Sequence, residues 1–519
     1  DLGSLTPNVI EQVQKLASTY YVNRFFDRDP SLWTDDQKGQ DEISNRMNWV
    51  TTPYDARASV SGFRNLGREL VDNGFTHAVL LGMGGSSLAP EVISKIVKGH
   101  DYSNASGLKF QVLDSTDPDQ VASITEHNPI DKTIFIVASK SGTTGEINAF
   151  LDYFWDQVKA IRPENPGKQF IAITDPGTRL AKLAEERGFR SVFEADPQVG
   201  GRNSALTAFG LVPAAMMGID LDKFVNNAVN MAEECKQDKS LQSNPGIVLG
   251  AIIGAAAQSG RDKLTLLTND EWISFGDWLE QLVAESSGKD GKGILPVVNE
   301  PILEIGQYAS DRLFVCLEKG NEENTLAKKL RIAGHPVITL RVDEKEDLAG
   351  QFYLWEVAVA TACSIIGVNS FDQPDVQDAK IRTIAGLEEF KKNGKFMDIV
   401  PSAGYPHAKV LTPLFERVEK RGSLFRLIGS YIEQNQAQTQ YIAINAFLPR
   451  NKQNEELLQQ FRSRLAVKYA LPTTLGFGPR YLHSTGQFHK GGPNTGLFIL
   501  ITANRQSDLD IPGQGVSFG

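Results

Sequence analysis

Between residues 75 and 190, short continuous apolar runs alternate with longer stretches in which apolar residues recur every three or four positions. HAVLLG (77–82), KFQVLD (109–114), TIFIVAS (133–139) and FIAITD (170–175) are such runs. Their length predicts strands. SSLAPEVISKIV (86–97) and GTRLAKLAEER (177–187) carry the longer period and predict helices. Strand and helix in alternation predict a parallel sheet covered by helices on both faces. The pattern restarts near 245 with the long apolar helix NPGIVLGAIIGAAAQSG (244–260). Strands at KLTLLTN (263–269), RLFVCL (312–317) and PVITLRV (336–342) follow, and QFYLWEVAVATACSIIG (351–367) is a buried helix closed by Gly367. Further on, QYIAINAFL (440–448) and GLFILITA (496–503) predict strands around the helix NEELLQQFRSRLAVKY (454–469). Residues 1–55 read as polar and helical, with turn signals around Asp27–Trp33.

These patterns divide the chain into a helical segment (1–55), a first α/β domain (56–240), a second (241–380) and a C-terminal α/β extension (381–519). The first boundary between sheets falls in the charged, helical stretch 220–245. An internal echo runs through the last two units. ILEIGQYASDRLFVCL (302–317) and LHSTGQFHKGGPNTGLFILI (482–501) share Gly-Gln-aromatic, a linker and Leu-Phe in an apolar strand, which reads as a partial duplication.

A chain of 519 residues is too long for one core. Apolar content of 41% and charged content of 22% are those of an ordinary soluble protein. No apolar run reads as long enough to cross a bilayer, and the opening DLGSLTPNVIEQVQ has no signal-peptide character. Cys235, Cys316 and Cys363 lie far apart without CxxC spacing, as unpaired thiols of a reducing cytoplasm would. The net charge of −10 and the lack of a basic stripe speak against nucleic acid. An anion can still bind, because charges more than about 8 Å away are screened and a local donor cluster suffices.

Two such clusters stand at strand ends. LLGMGGSSLAP (80–90) follows a strand and opens a helix, but the dinucleotide pattern GxGxxG fails because Ser87 replaces its last glycine. Gly82, Gly84 and Gly85 instead let the backbone approach a ligand, with Ser86 and Ser87 as donors. The apolar run Ile134–Ala138 empties into Ser139, Lys140, Ser141, Gly142, Thr143 and Thr144. Capping the next helix requires one hydroxyl, and four are present. Ligands bind at the carboxyl edge of open α/β sheets, so both loops point to a phosphate cradle completed by helix amides.

GMGGSS (82–87), SKSGTT.E (139–146), GGRNSALTAFG (200–210), QLVAESSGKDGKG (281–293) and NSFDQPDVQDAK (369–380) together resemble the motif set of the glucose-6-phosphate isomerase family, in the family's order. The tail 381–519 is similar to the isomerase part of bifunctional transaldolase/glucose-6-phosphate isomerases. A start at Asp1 rather than Met would suit a piece of such a polypeptide. The resemblance implies two sugar-isomerase αβα sandwich domains with the active site between them, commonly in a homodimer. It implies a proton-transfer reaction on a sugar phosphate, with no cofactor and no metal. Glu285 matches the family's catalytic base, a role that asks burial to lift a carboxylate from near 4.3 toward about 6 or 7. Arg202, after Gly201, matches the guanidinium that stabilises the enediolate. Gln281 and Gln373 match substrate contacts, and Lys380 a lysine that assists ring opening. Ser139, Lys140, Ser141, Thr143 and Thr144, with Gly84, Gly85, Ser86 and Ser87, fill the phosphate side.

One position departs from the pattern. Short bacterial relatives carry a ring-opening histidine in a His-Ser-x-Gly-Gln segment soon after the base, and Leu303 stands there. The motif occurs instead in LHSTGQ, at His483, with His489 as runner-up. The expected activity is interconversion of glucose 6-phosphate and fructose 6-phosphate. A non-catalytic sugar-phosphate sensor of the same fold and an isomerase that also accepts mannose 6-phosphate are the alternatives.

Overall fold

The computed structural model describes residues 1–99, 107–237, 241–320, 322–394, 403–405, 408–411, 423–505 and 507–519. The first sheet is built from β1 (His77–Gly82), β2 (Lys109–Leu113), β3 (Thr133–Ala138), β4 (Phe170–Thr174) and β5 (Ser191–Glu194), all parallel, in the order β2-β1-β3-β4-β5. Its central strands β1, β3 and β4 read as nearly unbroken apolar runs because both faces are covered. Phe135 and Val137 enter one core with Val79, Leu81 and Phe154, while Ile134, Ile136 and Ala138 enter the opposite one with Leu80 and Ile171. After β1 the chain runs to β2 on one side and returns to β3 on the other. Gly82 and Ala138 are register partners, so the two donor-rich loops leave the sheet side by side at this switch point.

The second sheet holds β6 (Lys263–Leu267), β7 (Leu295–Val297), β8 (Arg312–Lys319) and β9 (Val337–Val342), parallel, in the order β7-β6-β8-β9. A small hairpin of β10 (Ala403–Tyr405) and β11 (Ala408–Val410) precedes the third sheet. That sheet has β12 (Tyr441–Phe447), β13 (Thr473–Phe477) and β14 (Gly496–Thr502), again parallel, ordered β13-β12-β14. A two-stranded hairpin, β15 (Asp510–Ile511) with β16 (Val516–Ser517), ends the chain. The first three strands of the second sheet and the three strands of the third are laid down in one order: centre, one flank, other flank. The echoed segments 302–317 and 482–501 both lead into the last-laid of these strands, β8 and β14.

The largest core lies among helices rather than inside a sheet. Helices Leu221–Cys235, Pro245–Gln258 and Leu348–Ile366 pack together, and the N-terminal helices Thr6–Ser18 and Tyr21–Phe26 close over them. Helix Pro245–Gln258 comes close because one of its faces is glycine. A Cβ on Gly250 would stand 2.5 Å from the Ala358 carbonyl oxygen, and one on Gly254 2.8 Å from Ile365. The expectation about membrane spans needs correcting here. The segment Lys345–Ile366 is long and apolar enough to cross a bilayer by length and composition. Its apolar character has another cause: it is the central helix of this core, with 83% of its apolar window buried inside the protein.

The C-terminal unit is fastened to both domains by charge. Arg480 reaches Asp114 at 2.6 Å, Glu91 at 2.5 Å and Asp277 at 3.2 Å, while Arg450 reaches Glu91 and Asp277, each at 3.2 Å. Burial pushes the Glu91 carboxyl up, but Arg450, Arg480 and Lys95 outweigh it and hold it well below the usual carboxylate range. Glu91 and Asp114 follow β1 and β2 of the first sheet and Asp277 lies on the helix Phe275–Ser287 after β6 of the second, so two guanidiniums tie elements of both sheets to the C-terminal segment. Removing Arg480 would leave several partly buried carboxylates short of a partner, which costs about 3–5 kcal/mol in comparable buried pairs. Arg480→Met should therefore lower the thermal midpoint by several degrees and loosen the C-terminal unit first, as read by circular dichroism and limited proteolysis. An unchanged melt would show the clamp to be energetically idle.

Candidate active site

The loop after β1 turns tightly through Gly84–Ser86. A Cβ on Gly85 would lie 2.0 Å from the Gly201 carbonyl oxygen, so only glycine allows this loop to rest on the turn Gly201–Asn203. Gly84 has φ +55°, and a Cβ there would meet the His483 carbonyl at 2.9 Å. Ser204 Oγ donates to the Gly85 carbonyl at 3.1 Å and ties the two loops. Ser86 faces the cavity, whereas Ser87 is fully buried with its hydroxyl donated to the Gly84 carbonyl at 3.2 Å.

After β3, the buried Ser139 Oγ accepts from the Gly142 amide at 3.1 Å and lies 3.3 Å from Thr144 Oγ1. Ser141 Oγ and Thr143 Oγ1 are 3.0 Å apart. The helix Gly145–Ile161 follows, and its N-cap residue, Thr144, makes no side-chain bond to it. The positive end of the helix dipole therefore points at the cavity with no Thr144 side-chain cap in front of it. Lys140 lines the cavity, but its ammonium bonds Asp175 at 2.6 Å and the carbonyls of Asp196 and Pro197 at 3.2 and 3.3 Å.

Across the cavity, the helix Phe275–Ser287 buries Trp278, Leu279, Leu282 and Val283 in the core and turns Gln281 and Glu285 to the site. Glu285 is only 6% exposed, and burial raises its carboxyl above the ordinary range. Arg202, His483, Gln281 and Lys289 pull the other way without cancelling the effect. Arg202 Nε stands 3.3 Å from Glu285 Oε2. The guanidinium cannot drift, because it also donates to the carbonyls of Ser370 (3.0 Å) and Asp372 (2.9 Å) and to Gln373 Oε1 (3.0 Å). Gln281 Nε2 donates to Glu285 Oε2 at 3.3 Å and to the His483 carbonyl at 3.0 Å, so base and histidine segment share one amide. His483 Nε2 lies 3.0 Å from Glu146 Oε1, in the first turn of helix Gly145–Ile161.

One cavity of about 600 Å³ brings together Gly84, Gly85, Ser86, Lys140, Ser141, Thr144, Gly201, Gln281, Glu285, Gln373 and His483 among the residues singled out from sequence. Arg202 sits directly behind its wall. Ser87, Ser139 and Thr143 shape the loops. Lys380 belongs to helix Pro374–Asn393, but its side chain lies outside the described residues. His489 is not on the wall. Burial pushes its imidazole down to about 3, and its ring packs 5.0 Å from Phe498. Leu303 is in an apolar core with Tyr308, Phe314 and Ala466.

The cavity also holds residues that sequence reasoning passed over. Asn45, Arg46, Asp175 and Gln198 line it. Asn45 and Arg46 come from the polar N-terminal segment, where nothing local marks them. Glu146 lay inside the quoted motif without an assigned role. So did Lys289, whose buried ammonium bonds Asp372 at 2.8 Å and is pushed down to about 8 by burial and by Arg202. The arrangement has an end rich in hydroxyl and amide groups and, opposite it, a carboxylate of raised proton affinity beside an immobile positive charge.

The phosphoglucose isomerase family model matches residues 68–297. The glucose-6-phosphate isomerase of Carboxydothermus hydrogenoformans is 28% identical over 433 residues, covering 72% of this chain and 90% of that protein. The glucose-6-phosphate isomerase of Methanocaldococcus jannaschii is 26% identical over 369 residues, 62% of this chain and 88% of the relative. Among solved structures, a hypothetical protein from Thermus thermophilus superposes with a TM-score of 0.59 at 21% identity, over 74% of this chain and 99% of that one. A glucose-6-phosphate isomerase from Chlamydia trachomatis gives 0.50 at 18% identity, over 72% and 78%. At these identities the superpositions speak to the fold.

Arg202 is the foremost charge that holds the Glu285 carboxyl down against its burial. Arg202→Gln should therefore move the Glu285 titration to still higher pH. The carboxyl carbon shift of glutamate-labelled protein, followed against pH, reads the change, and a midpoint that stays or falls would contradict this account of the pair.

Proposed function

We infer that this chain, which belongs to the glucose-6-phosphate isomerase family, interconverts glucose 6-phosphate and fructose 6-phosphate by ring opening and proton transfer through a cis-enediolate. The observation that carries this reading is the buried Arg202–Glu285 pair facing a donor-rich loop across one cavity. A protein that only senses a sugar phosphate has use for the loop and none for a buried base beside a fixed guanidinium.

The phosphate lies against Ser86, Ser141 and Thr144, at the positive end of helix Gly145–Ile161, which leaves the sugar carbons toward Glu285. The Glu285 carboxylate takes the C2 proton and returns it at C1. As that proton leaves, negative charge grows on the sugar oxygens, and the Arg202 guanidinium, fixed beside Glu285 behind the cavity wall, is the nearby positive charge that offsets it. Such preorganised charge is worth a few kcal/mol because nothing has to reorient during the reaction. The raised carboxyl matches the task, since burial makes Glu285 a readier proton acceptor than an ordinary carboxylate while it can still give the proton back. Ring opening needs a group that takes the O1 proton and another that protonates the ring oxygen. His483 and Lys380 share that work. An imidazole that donates Nε2–H to Glu146 keeps a lone pair on Nδ1 for the substrate. On the same reading, the assembled enzyme is a homodimer, which sedimentation velocity measures.

Glu285→Gln should reduce isomerisation about 100- to 10,000-fold in a coupled assay, together with exchange of the C2 proton. His483→Ala should slow turnover of the closed sugar while open-chain substrate still exchanges its C2 proton. Full activity in the Glu285 variant would overturn the function, and equal loss of both reactions in the His483 variant would overturn its part in ring opening.

A further inference from the structure

On the far side of the helix carrying Glu285 lies a second cavity, of about 760 Å³. Glu280 and Ser484 stand on its wall, whereas their chain neighbours Gln281 and His483 stand on the wall of the first cavity. The partition between the two is a pair of adjacent bonds. Ser484 Oγ donates to Glu280 Oε1 at 3.2 Å, and Gln281 Nε2 donates to the His483 carbonyl at 3.0 Å. Two consecutive residues of the helix thus grip two consecutive residues of the histidine segment. Ser484 is 3% exposed and its hydroxyl has one other acceptor, the Tyr481 carbonyl at 3.5 Å.

We propose that Glu280 is a positioning residue for ring opening: its carboxylate, through Ser484, sets the placement of His483 in the neighbouring cavity. Glu280 does not touch the site, and the inference rests on the ring-opening role given to His483. An ionised carboxylate accepts the Ser484 hydroxyl in a charge-assisted bond, shorter and stronger than the bond to a neutral acid. Protonation weakens the grip and lets the His483 segment shift by the small distances that matter to a proton shuttle.

The surroundings make this an equilibrium that ordinary pH can move. Burial raises the Glu280 carboxyl to about 7, and Asp277 on the same helix adds to the rise. Arg480, on the turn that carries His483, and Arg462, on helix Lys452–Tyr469, oppose it. Arg450 and Glu455 face it from the start of that helix, and Lys95 and Lys345 from across the cavity. Arg480 and Arg450 are already shared with Asp277 and Glu91, so they do not neutralise Glu280 outright. The sign follows. Below about 7 the carboxyl is neutral and the grip weak; above it the carboxylate forms and holds Ser484. Ring opening gains an upward step near neutral pH that the proton transfer by Glu285 does not share.

The test compares wild type, Glu280→Gln, Ser484→Ala and the double variant across pH 6 to 8. Turnover of the closed sugar phosphate and exchange of the C2 proton on the open form are followed side by side. Glutamine keeps the shape and the acceptor oxygen, and thermal melts verify that each variant folds. The expected result is a roughly 3- to 10-fold slower closed-sugar turnover in Glu280→Gln, with the step near pH 7 gone and exchange unchanged. Ser484→Ala should show the same loss, and the double variant no more than either single one. A Glu280→Gln profile that keeps the step, or an equal fall in turnover and exchange, would overturn the proposal. If His483→Ala slows ring opening and Glu280→Gln does not, only this inference fails. If His483→Ala leaves ring opening intact, the histidine's assignment and this inference fail together.

Discussion

Two arginines of the C-terminal unit, Arg450 and Arg480, meet carboxylates from both preceding domains at Glu91, Asp114 and Asp277. The cavity is built around that meeting. Together with the bonds from Gln281 to the His483 carbonyl and between His483 and Glu146, it lays the turn Arg480–His483 across the loop at Gly84 and against the helix that carries Glu285. Hydrophobic contact alone would leave the approach loosely specified, because apolar surfaces tolerate sliding. Partly buried ion pairs do not, since each misplacement strands a charge. The cluster trades little net stability for a defined geometry, and the geometry is what proton transfer requires.

The same logic, at smaller scale, governs Arg202 and Glu285. Burial lifts the carboxyl, and the guanidinium restrains the lift. Neither partner could be placed so deep alone. Arg202 is held by the segment Ser370–Gln373, and Glu285 by a helix packed through Trp278 and Leu282. Their closeness therefore records how the turn Gly201–Asn203 is docked against the helix Phe275–Ser287, and any shift between them would be felt as a change in the affinity of Glu285 for its proton.

Much of the fold could be read from the chain because its central strands are buried on both faces. Ile134 to Ala138 alternate between two cores, and an unbroken apolar run is the imprint of that arrangement. The strands that escaped are those whose partners do the burying. Serine and glutamate end the four residues of β5. β7 contains Pro296, tolerated at the edge of its sheet, and β13 contains Gly476, which packs under Tyr481. The motif loops were legible because glycine and hydroxyl residues concentrate at strand ends. Arg46 and Glu280 were not, because what brings them to the cavities is tertiary packing with no local mark. The long apolar helix Leu348–Ile366 shows the reverse limit: its composition suits a membrane and a protein core equally, and only its neighbours decide.

The depth of Glu285 has one more consequence. At 6% exposure, with Arg202 and Gln281 both set against Oε2, the carboxyl meets bulk water only through the cavity. If Glu285 is the base, a hydrogen lifted from one carbon rests on a carboxyl where return to the adjacent carbon competes with loss to water in the cavity. The share of isotope that travels from substrate into product is then a clock for how fast water reaches that carboxyl while the intermediate is bound.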